Sequence, residues 1–146
     1  MKHEKVAADA QRADREICGL VSQLAWRIQS HVRESASGTG LTATQAVALR
    51  ELNESMSQRE LAERMCCEAS NATFVVDKLV EAGLVERTSH PRDRRIKQVV
   101  LTPSGVLVRQ DLLRQLGADS PLAGLSGTEN EILKAALLNA LRNHRG

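Results

Sequence analysis

Hydrophobic residues recur at three- and four-residue spacing through much of the chain, the mark of helices that bury one stripe. Ile17, Leu20, Val21, Leu24, Ile28 and Val32 make one such stripe and predict a long helix over 7–34. The run Ser35-Ala-Ser-Gly-Thr-Gly40 is loop chemistry. Thr42-Ala-Thr-Gln45 has the form of a capping box, in which the Thr hydroxyl and the Gln side chain each satisfy an orphan amide. It opens a helix with Ala46, Leu49 and Leu52 inward. A second box, Ser57-Gln-Arg-Glu60, starts a short helix from Gln58 to about Met65, with Leu61 and Ala62 inward. After a turn at Cys66-Cys67 comes a helix over about 69–82, with Ala72, Val75, Val76 and Leu79 buried and Gly83 at its end.

The period then changes from helical to extended. Leu84–Thr88 and Ile96–Leu101 predict two strands, joined by the polar tip His90-Pro-Arg-Asp-Arg-Arg95. Thr102-Pro103 reads as N-cap and first residue of a further helix carrying Val106, Val108, Leu112, Leu113 and Leu116. Gly117 to Pro121 interrupts it. A third box, Ser126-Gly-Thr-Glu129, starts a last helix with Ile132, Leu133, Ala136, Leu137, Ala140 and Leu141 on one face.

Two short helices, a tight turn and a hairpin predict a winged helix-turn-helix lobe over 38–103, with the helix-turn-helix at about 57–82 and the wing at 84–101. The fold class is mostly α with a small β-hairpin wing, in one domain over 1–146. The helices of 1–37 and 104–146 have wide apolar faces that this small lobe cannot cover. Apolar surface left in water costs about 25 cal/mol per Å², so these segments are expected to be dimerisation helices in a twofold homodimer. Packing back onto their own lobe is the alternative.

Net charge is only +2, but it is unevenly placed. From Leu84 to Lys97, Arg87, Arg92, Arg94, Arg95 and Lys97 face only Glu86 and Asp93, a local +3 that leaves −1 elsewhere. Such a segment is either a solvated charge run or an anion-seeking surface. With one Trp, one Phe and no Tyr, stacking platforms for single-stranded nucleic acid are excluded. Double-stranded DNA is the partner that fits. On the exposed side of the helix from Ala69, Asn71 suits an adenine edge, and Ser70 and Thr73 suit base edges or phosphates. The alternatives are Ser70 as the helix cap, and Asn71 and Thr73 as plain surface. No apolar run approaches a membrane span, so a cytoplasmic protein without membrane contact is expected. No Gly-rich phosphate loop, catalytic carboxylate pair or Ser-His-Asp or Cys-His arrangement is evident, so no enzyme is expected and no cofactor. His3, His31, His90 and His144 share no ligand spacing with the cysteines, and no metal site is expected.

The segments Leu61-Ala-Glu-Arg-Met65, Ser70-Asn-Ala-Thr73, Asp77-Lys-Leu79, Gly83-Leu-Val-Glu-Arg87, Asp93-Arg-Arg95 and Leu101-Thr-Pro-Ser-Gly105 together resemble the MarR family of bacterial regulators, in the same order of elements over nearly the whole chain. The resemblance implies a homodimeric regulator on pseudo-palindromic DNA sites, usually a repressor. It implies that Arg95 enters the minor groove while Asp93 holds it. It also implies release by a small effector, often an aromatic or phenolic anion, between the lobe and the dimer helices; some members are released by cysteine oxidation instead. Three positions depart from the pattern. Cys66 stands where the turn usually has Gly, Glu68 stands at the usual N-cap, and Phe74 replaces a residue that is often basic. Phe74 can instead touch a thymine methyl.

For an effector, Trp26 is the one large aromatic outside the reading helix, with Arg27, His31 and Arg50 as candidate cations; Trp26 as dimer packing is the alternative. Cys18 lies where oxidation-sensing members carry their thiol, but Ile17 and Gly19 beside it suggest a buried, inert cysteine. Cys66 and Cys67 are placed at a helix start. Their Cα atoms, about 3.8 Å apart, are too close for an ordinary disulfide, whose range is about 4.4–6.8 Å. Cys67 is expected to pack as a small hydrophobe. A winged helix that binds only protein is the other functional reading, disfavoured by the charged wing.

Overall fold

The structure is a computed structural model that describes residues 1–143. His144, one of the four histidines without ligand spacing, lies outside the described residues. The elements run α1 (Lys2–Ser37), α2 (Ala43–Glu51), β1 (Met56–Ser57), α3 (Gln58–Met65), α4 (Ala69–Glu81), β2 (Val85–Ser89), β3 (Lys97–Leu101), α5 (Pro103–Gly117) and α6 (Gly127–Arg142). Helix α1 is longer than the 7–34 read from its stripe. Its added ends are mostly polar residues that continue the backbone ladder without an apolar period.

The chain divides into two compact units, Gln29–Ala118 and Met1–Ile28 with Asp119–Gly146. The first has a closed aliphatic core: Leu49, Leu52, Met56, Leu61, Val76, Leu79, Val85, Val99 and Leu112 are almost inaccessible to solvent. These come from α2, α3, α4, α5 and the sheet, and no aromatic residue is among them. Their local frames follow from caps. Thr42 and Gln45 form the reciprocal box that starts α2. At α3 only half of the expected box forms. The Ser57 hydroxyl accepts from the Glu60 amide at 3.1 Å, but the Glu60 carboxylate pairs with Arg64 at 2.9 Å.

The wing is a three-stranded antiparallel sheet in the order β1-β3-β2, not the expected two-stranded hairpin. Met56 and Ser57 pair with Val99 and Gln98 on the free edge of β3. Burying Met56 in the core carries the chain along that edge, and two residues leave no periodic trace. β2 and β3 pair from Val85↔Leu101 to Ser89↔Lys97.

The joint between wing and α5 explains the Leu101-Thr-Pro-Ser-Gly105 run. The Thr102 hydroxyl donates to the Gly83 carbonyl at 2.6 Å and accepts from the Gly105 amide at 3.0 Å, while the Thr102 amide donates to the Leu84 carbonyl. Gly105 is buried against that same Leu84 carbonyl, and a Cβ there would collide with it. Further along α5, Arg109 donates to the Leu49 and Arg50 carbonyls at 2.8 and 3.0 Å, capping the end of α2.

The second unit is purely helical. Ser126 and Glu129 form the reciprocal box that opens α6. No residue of α6 is buried, and Ile17, Leu20, Ile132 and Leu141 are each at least 60 % exposed. Its apolar stripes are where the sequence places them, and they face solvent.

Candidate nucleic-acid interface

Helix α4 begins at N-cap Glu68, whose side chain caps nothing. Ser70 is therefore the second helical residue and not the cap, which removes one of its two readings. Burial of Ala72, Val75, Val76 and Leu79 turns Ser70, Asn71, Thr73 and Phe74 to solvent. The Thr73 hydroxyl is less free than its exposure suggests. It donates to the Ala69 carbonyl at 3.0 Å and accepts from Gln58 Nε2 at 2.6 Å.

That bond belongs to a network that sequence reasoning missed. Gln58 Oε1 accepts from Arg87 at 3.3 Å, and Arg87 Nη2 meets Asp77 Oδ1 at 2.6 Å. Gln58 opens α3, Thr73 and Asp77 lie on α4, and Arg87 lies on β2, so three elements are tied on the outer surface. Arg87 thereby has a local counter-charge, whereas Arg92, Arg94 and Lys97 of the basic segment have no carboxylate partner among the described residues. The exposed pair adds at most about 1 kcal/mol to stability; its value is in fixing α4 against the wing.

At the tip, Arg92, Arg94 and Arg95 are exposed. The His90 amide donates to the Ile96 carbonyl at 2.8 Å, closing the loop. Asp93 Oδ1 accepts from the Arg95 amide at 3.0 Å and from Arg95 Nε at 3.2 Å, and Oδ2 accepts from Nη2 at 3.4 Å. The Arg95 side-chain bond and then its backbone amide hold the Asp93 carboxyl below the usual carboxylate range, outweighing the opposing desolvation, with a lesser contribution from the field of His90. The Arg95 side chain nonetheless stays 91 % exposed. The clamp fixes the cation's direction and leaves it available to an anion.

The cysteines differ from expectation. Cys18 is exposed, not buried, because the apolar stripe around it faces solvent. Cys66 closes α3 and does not start α4; it adopts a left-handed conformation at φ 55°. That is a geometry in which glycine, with no Cβ, avoids the steric penalty other residues meet. Cys67 is half-buried beside Val47, Met65 and Val75, as a small hydrophobe would be.

Of the effector candidates, Trp26 and Arg27 wall an open hollow with Ser22 and Gln23 of the same helix. His31 Nε2 donates to the Leu116 carbonyl at 2.8 Å, and Arg50 pairs with Glu51 at 2.9 Å, so both already have partners. Among the described residues no cluster of metal-binding side chains occurs, and no helix is long and apolar enough to cross a membrane.

The sequence profile of the MarR family matches residues 41–97, from the loop before α2 into β3. The HTH-type transcriptional repressor MdtR of Bacillus subtilis (strain 168) is 32% identical over 118 residues, covering 78% of this chain and 75% of that protein. A MarR-family regulator from Silicibacter pomeroyi superposes with a TM-score of 0.75 at 26% identity, over 86% of this chain and 88% of that one. CouR from Rhodococcus jostii RHA1, in a structure bound to p-coumaroyl-CoA, gives 0.73 at 29% identity, over 83% and 88%. Two helices and a sheet packed behind an exposed reading face, a clamped arginine on the wing, and likeness to these proteins along most of the chain make it a member of the MarR family, a DNA-binding transcriptional regulator of the winged helix-turn-helix kind.

Proposed function

We propose that the chain represses transcription as a homodimer, binding a pseudo-palindromic operator and leaving it when a small organic anion binds. The observation that carries the DNA reading is the Asp93–Arg95 clamp at the tip of the wing. A guanidinium already oriented gives up little freedom on entering a narrow minor groove, where the negative potential is strongest. Helix α4 then lies in the major groove, with Asn71 and Phe74 facing bases, and Ser70, Arg92 and Arg94 near bases or phosphates. Thr73 contributes mainly by holding α4 to Gln58.

The apolar faces of α1 and α6 supply the dimer contact, and a second copy of the chain is the occupant that a palindromic site requires. Twofold symmetry sets the two α4 helices one DNA turn apart, about 34–36 Å. The chain acts by binding and not by turnover, as its regulator relatives do, and it acts in the cytoplasm, where its DNA is. The effector class follows from CouR's aromatic acyl thioester together with the exposed Trp26 ring next to the Arg27 cation. His31 and Arg50 already have partners in Leu116 and Glu51 and are not counted in this site.

The test is fluorescence anisotropy against duplexes flanking the protein's own coding region, with and without a panel of aromatic acids and their thioesters. Salt-sensitive, sequence-selective binding that one panel member reverses supports the reading. A dimer that binds no duplex better than random DNA overturns it and favours a protein-binding module. Exposure of Cys18 favours one second reading, release by thiol oxidation. In that case mild peroxide abolishes DNA binding by the wild type but not by Cys18→Ser.

A further inference from the structure

Phe74 is the least expected residue on the outer face of α4. It is 63 % exposed, although the core beneath it is built of aliphatic side chains alone. Lys78, one turn on, holds Nζ 5.6 Å from the ring centroid, which covers one side of the ring with a cation. Asn71, one turn back, shares the face. Asn71 and Phe74 together wall a hollow of about 240 Å³ that Val47, Met65 and Cys67 also line.

The polar groups on this face are unequal. Thr73 is bonded to both Ala69 and Gln58. Among the described residues the Asn71 side chain makes no hydrogen bond, so its carbonyl and amino groups are both free. The face therefore offers one free bidentate amide beside one exposed apolar ring. In the major groove a bidentate amide matches the N6 and N7 atoms of adenine, and the only apolar group among the bases is the C5 methyl of thymine. Resting on the reading that α4 enters the major groove, we propose that Asn71 and Phe74 read one A·T-containing step in each half-site as a pair. Asn71 takes the adenine edge, and the Phe74 ring packs on a thymine methyl. A basic residue at this position would hold a phosphate; Phe74 exchanges that sequence-blind contact for a base-specific one.

Deoxyuracil differs from thymine only in lacking the methyl, so it isolates the contact. A tight-binding duplex is selected from a random pool, and each thymine is replaced in turn by deoxyuracil. Wild-type protein should lose about fourfold in affinity at one thymine per half-site, and about fifteenfold when both half-sites are changed, as expected for one methyl group leaving an apolar contact. Phe74→Ala should bind more weakly but respond to deoxyuracil nowhere, and Phe74→Leu should retain part of the response. Replacing adenines by 7-deazaadenine should weaken wild type at one position per half-site and leave Asn71→Ala unaffected there. Both side chains are exposed, so the variants should unfold at the wild-type temperature. Wild type indifferent to deoxyuracil at every thymine, or Phe74→Ala keeping the full response, overturns the pairing while leaving the regulator reading intact. Failure to select any duplex overturns both.

Discussion

The unit of Gln29–Ala118 and the helical unit of Met1–Ile28 with Asp119–Gly146 use the same amphipathic pattern and reach different ends. In the first, the stripe of α4 is covered by α2, α3 and the sheet, and Val76 and Leu79 are sealed. In the second, the stripes of α1 and α6 are as regular, yet Leu20 and Ile132 remain open. Periodicity states that a face is to be buried and leaves open by what. The lobe's partners are elements of its own chain. In the homodimer proposed above, the end helices' partner is a second copy, so the lobe should be stable by itself and the ends should be stable only through assembly.

The sharpest way to break this contrast is a charge on the end helices. Leu137 is 40 % exposed on α6. Leu137→Asp should place an unpaired carboxylate from each protomer in the dimer contact, weakening it by about 3–5 kcal/mol. Sedimentation should show monomers at micromolar concentration, with the lobe still folded by circular dichroism. An intact dimer would mean that these faces are covered in some other way.

The converse variant breaks the lobe. Gly105→Ala drives a methyl group into the Leu84 carbonyl, and neither backbone segment can move without parting wing from α5. A destabilisation of about 3 kcal/mol is expected, read as a lower urea midpoint. An unchanged midpoint would show that this joint yields more easily than its packing indicates.

These two sites also mark how far the sequence can be read. Capping boxes at Thr42 and Ser126 are legible because both halves lie within four residues. Ser57 is legible only in part, since Glu60 has a competing partner in Arg64. Gly105 is visible as part of a motif, but its reason, contact with a carbonyl twenty-one residues earlier, is tertiary. The same holds for the Gln58–Thr73 and Arg87–Asp77 bonds, which join residues 15 and 10 apart on different elements. Strand β1 escapes because two residues carry no period. Cys18 is exposed against expectation because an apolar stripe does not say whether its own chain covers it. The wing clamp follows from the family resemblance, and its geometry agrees: Asp93 and Arg95 meet through three hydrogen bonds.

A smaller effect should leave both units intact and alter only what they do to DNA. Arg95→Ala should weaken operator binding by about 1–3 kcal/mol. It should also lower the log–log salt slope by roughly 0.9 for each phosphate that is no longer neutralised. Asp93→Ala should act in the same direction but less, because it removes orientation and not charge attraction. The lowered Asp93 pKa means the clamp's contribution is present above the free carboxyl's titration and disappears only as pH falls through the lower folded value. The difference between wild type and Asp93→Ala should therefore shrink only in acid, as pH falls through the lower folded value. Anisotropy titrations at several salt concentrations and pH values check all three. Equal affinity and slope for Arg95→Ala would remove the wing from minor-groove reading.

The smallest expected change tests how complete the lobe is. Cys66 sits at φ 55°, where its Cβ crowds the following carbonyl, while its side chain is exposed and makes only a 4.0 Å contact from Sγ to the Arg64 carbonyl. A left-handed residue with a Cβ costs about 1–2 kcal/mol relative to the right-handed form. Glycine escapes that cost but gives up about 0.5–1 kcal/mol more conformational freedom on folding. Cys66→Gly should thus stabilise the lobe by about 0.5 kcal/mol, seen as a small rise in urea midpoint with no change in the denaturant slope. The backbone bonds of this turn, Cys66 to Glu63 and Cys67 to Ala62, need no side chain, so α4 should keep its place and operator affinity should not fall. A destabilised Cys66→Gly would mean that the thiol contributes packing although the single chain leaves it exposed. Its partner would then lie on the second copy, and the division between a self-sufficient lobe and assembly-dependent ends would have to be redrawn at α3.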